Sequence, residues 1–307
     1  MRWRGQRPDG GAAPCGGHAG GAGRAIIPFV NAKAGALLIV DGDNLAHRAY
    51  HSTPKTVVGS SGAPINALVG FVNIMVNVWV KEQPRGVYVA WDTLGVETYR
   101  HALWPAYQSG RVFEPEIVQQ LKLLPRLCTS FKFGVGKRAG SEADDFMAAA
   151  AIEEIKRGGT CLLLTTDRDA YQLVSERVTV LSARRGAREL DRIGPREVVE
   201  RLGVGPAQVP DFKALAGDSS DKIPGARGIG PKTAAALLAK HATLEGVLGG
   251  WGRHGEDELM LKFREVVRLR PDIPVELPPS GAPDWKGGAK AVRRLGAKTL
   301  ADRLGAM

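Results

Sequence analysis

Cysteine is nearly missing from this chain. There are three in 307 residues, Cys15, Cys128 and Cys161, odd in number and far apart, with no Cys-x-x-Cys pair and no histidine at zinc-ligand spacing. That excludes a disulfide framework and a structural zinc site, and a reducing cytoplasm is the expected compartment. No apolar run approaches the ~18 residues needed to cross a bilayer, so no membrane partner is expected. Acid is missing from the front of the chain, where Asp9 is the single acidic residue before Ala36. Residues 1–35, rich in Gly, Ala and Arg, lack the roughly 7–15-residue apolar core of a secretory signal and read as a disordered tail. An organellar transit peptide is the alternative, since such peptides are Arg-rich and acid-poor, although the shortage of serine argues against it.

What the chain does have is base and apolar residues. Lys and Arg number 42 against 32 Asp and Glu, a net +10, which favours a polyanionic partner. The 44% hydrophobic content is ample for the core of one large or two modest domains. Within this basic frame the acids gather at Asp41, Asp92, Ser141-Glu-Ala-Asp-Asp145, Asp167-Arg-Asp169 and Asp218-Ser-Ser-Asp221. Two carboxylates 4 Å apart repel by about 4 kcal/mol at an effective dielectric near 20, so acids that converge do so around cations or shared protons.

From Ala36 the pattern is of strands alternating with helices. Ala36 to Val40, Val87 to Trp91 and Cys161 to Thr165 are short apolar runs of the buried-strand type. Ile65 to Val80, nearly all apolar with Asn66, Asn73 and Asn77 at helical spacing, is a crossover helix that stops before Pro84. A further helix opens at Ser141 with a Ser-x-x-Asp capping box and closes at Lys156-Arg-Gly-Gly159. A mostly parallel α/β sheet flanked by helices follows. Asp41, Asp92 and Asp167 each fall at or just beyond a strand's carboxyl end, the edge where open parallel sheets bind ligands.

After about Leu190 short helices take over, at Pro195–Leu202, Pro206–Ala216 and Pro231–Lys240. Asp218 and Asp221 follow a helix C-terminus, where the dipole disfavours negative charge, so a cation partner explains them better than capping does. Pro224-Gly-Ala-Arg-Gly-Ile-Gly-Pro-Lys-Thr233 is a Gly-punctuated hairpin entering a helix, suited to a phosphate backbone. Between Asp92 and Glu142 an insertion interleaves Tyr99, Arg100, His101, Tyr107, Gln108, Arg111, Lys122 and Arg126, a mixture that suits base stacking and phosphate contact. Residues 271–283 read as a linker, followed by a short basic helix between Ala289 and Leu304.

Four ordered stretches resemble the 5′-nuclease domain of bacterial DNA polymerase I and its relatives, the phage 5′-exonucleases and flap endonucleases. They are Leu38-Ile-Val-Asp-Gly-Asp-Asn-Leu-Ala46, Ser141-Glu-Ala-Asp-Asp145, Thr166-Asp-Arg-Asp-Ala-Tyr-Gln-Leu173 and the run from Gly217 to Ala234. The resemblance implies a PIN-like (resolvase-like) core over residues 36–190 with a helical arch at about 97–128. It further implies a helix-hairpin-helix subdomain over 191–275, leaving 276–307 as linker and basic tail. It implies two Mg²⁺ ions, with Mn²⁺ able to substitute. Asp41, Asp92, Glu142, Asp144 and Asp145 match the first metal site, Asp167 and Asp169 a position between sites, and Asp218 and Asp221 the second. Arg100 and Arg111 match residues that contact the substrate phosphate. Tyr107 and Gln108 in the arch, and Gly225, Gly228, Gly230, Lys232 and Thr233 in the hairpin, are the implied DNA contacts, the hairpin with a K⁺ ion.

The implied function is 5′-3′ exonuclease and 5′-flap endonuclease action on nicked, flapped or frayed DNA, or on an RNA primer, leaving 5′-phosphate and 3′-hydroxyl ends. A monomer acting beside a separate polymerase and ligase in replication and repair is expected. One departure stands out. Relatives commonly carry Tyr-Lys-x-x-Arg in the arch, and here Gln108 takes the lysine's place. Losing one transition-state cation costs on the order of 2–4 kcal/mol. The rival reading is therefore a protein that binds flaps or junctions without cutting them. A third, a phosphatase built on Asp41-Gly-Asp43, lacks a partner lysine at a matching strand end and leaves the hairpin without a task.

Overall fold

The computed structural model describes residues 35–110, 112–184, 189–251 and 255–307. The expected N-terminal tail, the transit-peptide alternative and Arg111 lie outside the described residues, Gly35 apart.

Six strands make one sheet: β1 (Leu37–Asp41), β2 (Gly86–Ala90), β3 (Gly134–Gly136), β4 (Cys161–Leu164), β5 (Val178–Arg184) and β6 (Glu189–Ile193). Their order is β3-β2-β1-β4-β5-β6, all neighbours parallel except the β5–β6 pair. Every residue of β1, β2 and β4 is buried, which is why these strands read as continuous apolar runs and not as alternating ones. Leu38 and Val40 face one apolar layer, and Leu37 and Ile39 the other. Because the chain moves outward from β1 to β2 and β3 and then returns to β4, the order reverses between β1 and β4. The carboxyl ends of these two strands open a crevice there.

One face of the sheet carries α1 (Gly42–Ser52), α2 (Asn66–Glu82) and α4 (Pro115–Ser130), and the other carries α5 (Ala143–Lys156). Of the three α2 asparagines, Asn77 is exposed and Asn73 partly buried. Asn66 is fully buried, donating from Nδ2 to the carbonyls of Tyr50 and Thr53 and accepting from Gln120 through Oδ1. It fixes the otherwise apolar crossover against α1 and α4. The start of α5 also differs from expectation. Its N-cap is Glu142, whose N–H donates to Asp145, so the Ser141 capping box is displaced by one residue.

The span expected to form an arch, about 97–128, includes α3 (Tyr99–Leu103) and α4, of which Ile117, Leu121, Leu124 and Leu127 belong to the main core. Lys122 and Arg126 are left on the exposed side of α4.

The helical unit comprises α6 (Pro195–Leu202), α7 (Val209–Ala216), α8 (Pro231–His241), α9 (Leu244–Trp251) and α10 (Asp257–Val267). Its own core includes Phe212, Leu215, Leu238, Leu244 and Phe263. Between α7 and α8 the backbone doubles back on itself, with Asp218 and Ile223 exchanging both hydrogen bonds at 2.7 and 2.8 Å. Gly225, at φ +71°, leaves its missing Cβ only 2.4 Å from the Gly217 nitrogen, so the crossing admits glycine alone.

Residues 276–307 are not a tail. Leu277 enters the second apolar layer, Gly281 donates to the Arg85 carbonyl, and two helices follow, α11 (Trp285–Arg294) and α12 (Lys298–Gly305). Trp285, Ala289, Val292, Leu300, Ala301 and Leu304 join the core beside α2 and α4. The bases of this segment alternate with that apolar row at helical spacing, which the charge alone conceals. Among the described residues no helix is long and apolar enough to cross a membrane.

Candidate metal and nucleic-acid site

The reversal of strand order leaves an open cleft of about 630 Å³ whose lining includes Asp41, Asp43, Asp92, Glu142, Asp144 and Asp167. Asp41 ends β1 and caps α1, accepting from the Asn44 N–H at 3.0 Å and the Thr165 hydroxyl at 2.9 Å. Asp43, one residue into α1, accepts from the Asp92 N–H at 2.7 Å, and Asp92 in turn accepts from the Ala143 N–H at 2.7 Å. The ends of β1 and β2 and the start of α5 are thus tied together by the acids themselves. Asp167 follows β4, its amide donating to the Thr165 hydroxyl and its carboxylate accepting from the Asp169 N–H at 2.9 Å.

Two trios of carboxylates have oxygens within 4.8 Å of one another, Asp144 with Asp167 and Asp169, and Asp169 with Asp218 and Asp221. Asp169 belongs to both. Burial, reinforced by Asp92 and Asp167, pushes Asp41 up to about 7, and burial with Asp167 beside it does the same to Asp169 against the pull of Lys213. Asp43 and Asp144 are raised for the same reasons, desolvation first and neighbouring carboxylates after it. Asp144 Oδ1 is buried and accepts no hydrogen bond. A dry, unpartnered carboxylate oxygen among other carboxylates fits a hard divalent cation, and an all-oxygen donor set excludes a thiolate or imidazole preference.

Lys213 was not singled out from the sequence. Its ammonium, buried in α7, pairs with Asp169 and with Asp218 at 2.6 Å, holding Asp218 below the ordinary carboxylate range against the opposing effect of burial. Three carboxylates less this one ammonium leave a charge complementary to a single divalent ion at the second trio. A lysine in the short, mostly apolar Val209-Pro-Asp-Phe-Lys-Ala-Leu-Ala216, five residues before Asp218, is the signal that marks it. Asp43 was likewise outside the expected metal set, although it is among the cleft acids.

The remaining expected acids, Glu142 and Asp145, are taken up by protein donors. Arg100, only 2% exposed, donates to both oxygens of Asp145 at 2.9 and 3.0 Å, pairs with Glu142 at 3.1 Å and donates from Nε to the Val266 carbonyl. Asp145 also accepts from the Arg270 N–H, and Glu142 from the Thr98 and Tyr107 hydroxyls. Arg100, expected at a substrate phosphate, is engaged here by these protein groups. Its guanidinium is spent on fastening α3 and α5 to α10. Tyr107 is 4% exposed, its hydroxyl donating to Glu142 and accepting from Gln108. Gln108, at φ +49°, reaches from the arch to Asp221, donating from Nε2 to the carboxylate at 3.1 Å.

The hairpin residues divide. Gly225 serves the chain crossing, whereas Gly228, Gly230, Lys232 and Thr233 are exposed at the start of α8. A Cβ at Gly228 or Gly230 would meet nothing within 4 Å, so packing does not require glycine at either position. Only the positive φ of Gly228, +75°, favours it. The free N–H groups of α8 and Lys232 face outward together, an arrangement suited to a phosphate.

Residues 36–203 match the 5′-3′ exonuclease N-terminal resolvase-like domain, and residues 204–283 match the 5′-3′ exonuclease C-terminal SAM fold. DNA polymerase I of Mycobacterium bovis is 36% identical over 268 residues, covering 85% of this chain and 29% of the polymerase. The thermostable DNA polymerase I of Thermus thermophilus is 35% identical over 284 residues, covering 88% of this chain and 33% of that protein. The chain thus spans about a third of the length of these relatives or less. Among solved structures, the D15 protein of T5, co-crystallised with metal ions, superposes with a TM-score of 0.62 at 22% identity, over 88% of this chain and 97% of the other. The Rad2 catalytic core in complex with DNA gives 0.57 at 14% identity, over 88% of this chain and 91% of that one. At these identities the structural likeness speaks for the fold.

Proposed function

From the premise that this chain belongs to the 5′-3′ exonuclease family and is a nuclease, we propose that it hydrolyses phosphodiester bonds of DNA at flapped, nicked or frayed 5′ ends. Two Mg²⁺ ions, or Mn²⁺, serve the reaction, and the products carry 5′-phosphate and 3′-hydroxyl ends. The observation that carries this reading is the pair of carboxylate trios joined through Asp169 at an open cleft, with Asp144 Oδ1 buried and unpartnered. Asp144, Asp167 and Asp169 would hold one ion and Asp169, Asp218 and Asp221 the other. Bound there, divalent ions lower the pKa of an attacking water and offset charge on the transferring phosphate.

The chain's own residues provide the setting. Asp41, Asp43 and Asp92 brace the strand ends through backbone and hydroxyl donors, so the trios sit on rigid elements. Gly228, Gly230, Lys232 and the α8 N-terminus grip a duplex backbone, with K⁺ at the hairpin. The turns after α3 bound the cleft on the side where a single strand would pass, and Gln108 supplies a hydrogen bond there instead of a positive charge. A polymerase and a ligase acting on the product complete the proposed setting in replication and repair, in a reducing cytosol.

A duplex carrying a 5′-labelled flap, incubated with and without Mg²⁺, tests the reading. Release of a labelled fragment that requires Mg²⁺ and is lost by 10³-fold or more in Asp144→Asn and Asp167→Asn is the expected result, the rough size of losing preorganised charge at a reacting phosphate. Binding of the flap by the wild-type protein with no cut at any Mg²⁺ or Mn²⁺ concentration overturns it.

A further inference from the structure

The helix α11 carries a row of cations that the proposed nuclease centre does not use. Lys286, Lys290 and Arg294 recur every four residues, about 6 Å apart along one line of the helix. All three are exposed, and the opposite side of the helix, Trp285, Gly288, Ala289 and Val292, is buried. None of the three has an ion pair among the described residues. The acids of the same segment are committed elsewhere, Asp284 to the Gly287 N–H and Asp302 to Arg293. Arg126 at the end of α4, Lys132 in the turn that follows and Lys298 at the start of α12 add further exposed base around the row.

The row is held rigidly. A Cβ at Gly287 would lie 2.6 Å from the Ser130 carbonyl oxygen, and one at Gly288 would lie 2.0 Å from the Phe131 ring, so α11 packs backbone-close on the end of α4. Trp285 closes the contact edge-on against Phe131 and Trp79. This position is on the α2/α4 face of the sheet, whereas α7 packs on the α5 face through Val209 and the Lys213–Asp169 pair. The α11 row and the α8 hairpin therefore belong to different layers of the molecule. Helices α11 and α12 also lie outside the residues matched by the two family domains, which end at 283.

We propose that the exposed face of α11 is a second, sequence-independent binding surface for the phosphate backbone of duplex DNA, separate from the α8 hairpin. The proposal rests on the reading that this chain works on DNA. A rigid row of cations with no ion pair among the described residues gains affinity by releasing counterions from a polyphosphate, whatever the base sequence.

The test is fluorescence anisotropy with a blunt duplex that carries no flap, over a sodium chloride series, for the full chain and for the triple variant Lys286→Glu, Lys290→Glu, Arg294→Glu. The expected result is affinity weakened by about 10-fold or more at ~0.1 M salt, with the slope of log K against log salt reduced by about 2 to 3. The neutral triple Lys286→Gln, Lys290→Gln, Arg294→Gln, checked by thermal melting, gives the same reading should the charge reversal fail to fold. Unchanged affinity and slope in a folded variant overturn the proposal. So does tighter binding of a polyglutamate peptide than of the duplex, lost in the same variant, which would assign the face to an acidic protein. Flap cleavage measured in parallel reports on the nuclease reading by itself. Lost duplex affinity in the variant supports this surface even if the wild type cuts nothing, and unchanged affinity overturns it even if cleavage is normal.

Discussion

Arg100 touches Asp145, Glu142 and the Val266 carbonyl from inside the protein, so its own charge is held almost wholly away from water. Removing it while keeping its bulk, as in Arg100→Met, leaves two carboxylates without their counterion. The expected outcome is a loss of roughly 3–5 kcal/mol in chemical denaturation, the usual cost of breaking one side of a buried pair. Asp144→Asn goes the other way. It relieves repulsion at a raised carboxyl, so its melting temperature without metal should equal or exceed the wild type while cleavage disappears. The sequence made the cleft acids legible because each follows a strand end or opens a helix. It concealed the fate of Glu142 and Asp145, because a carboxylate bound by an arginine 42 or 45 residues away leaves no local pattern. Lys213 was half hidden for the same reason: Asp169 lies in another part of the chain, and only Asp218, five residues on, leaves a local trace.

At the scale of elements, β1, β2 and β4 were readable as unbroken apolar runs and α2 as a long apolar helix, since burial on all sides writes itself into composition. The C-terminal helices were not. In α11 four buried positions, two of them glycine or alanine, alternate with lysine and arginine, and small residues carry little hydrophobic signal even when they permit the closest packing. Gly288→Ala measures that packing directly. With its Cβ placed 2.0 Å from the Phe131 ring, the variant should lose about 1–3 kcal/mol in urea unfolding, or displace α11. A variant as stable as the wild type, with α11 amides still protected from hydrogen exchange, would contradict the contact.

Across the whole molecule the raised carboxyls make stability depend on pH and on metal together. Asp41 and Asp169 stand near 7 when folded and at 3.8 in the reference state, with burial as the leading cause. Between those values the folded protein binds protons that the unfolded chain has released, so stability falls as pH rises. The slope is on the order of 1 kcal/mol per pH unit for each such group. In EDTA the melting temperature should therefore drop between about pH 5 and pH 7. Millimolar Mg²⁺ should flatten that decline by binding only the folded form. A melting temperature in EDTA that climbs across the same range would show the acids to be ionised and otherwise compensated.

Asp169 stands in both carboxylate trios, and its pairing with Lys213 extends to Asp218. Two cations sharing one ligand cannot be titrated as independent guests: whatever the first does to that side chain's orientation and charge, the second must encounter, and the influence is equal in both directions. Were both trios to hold ions, their occupancy would be a joint property, and a change at Asp218 or Asp221 should be felt by an ion held at Asp144.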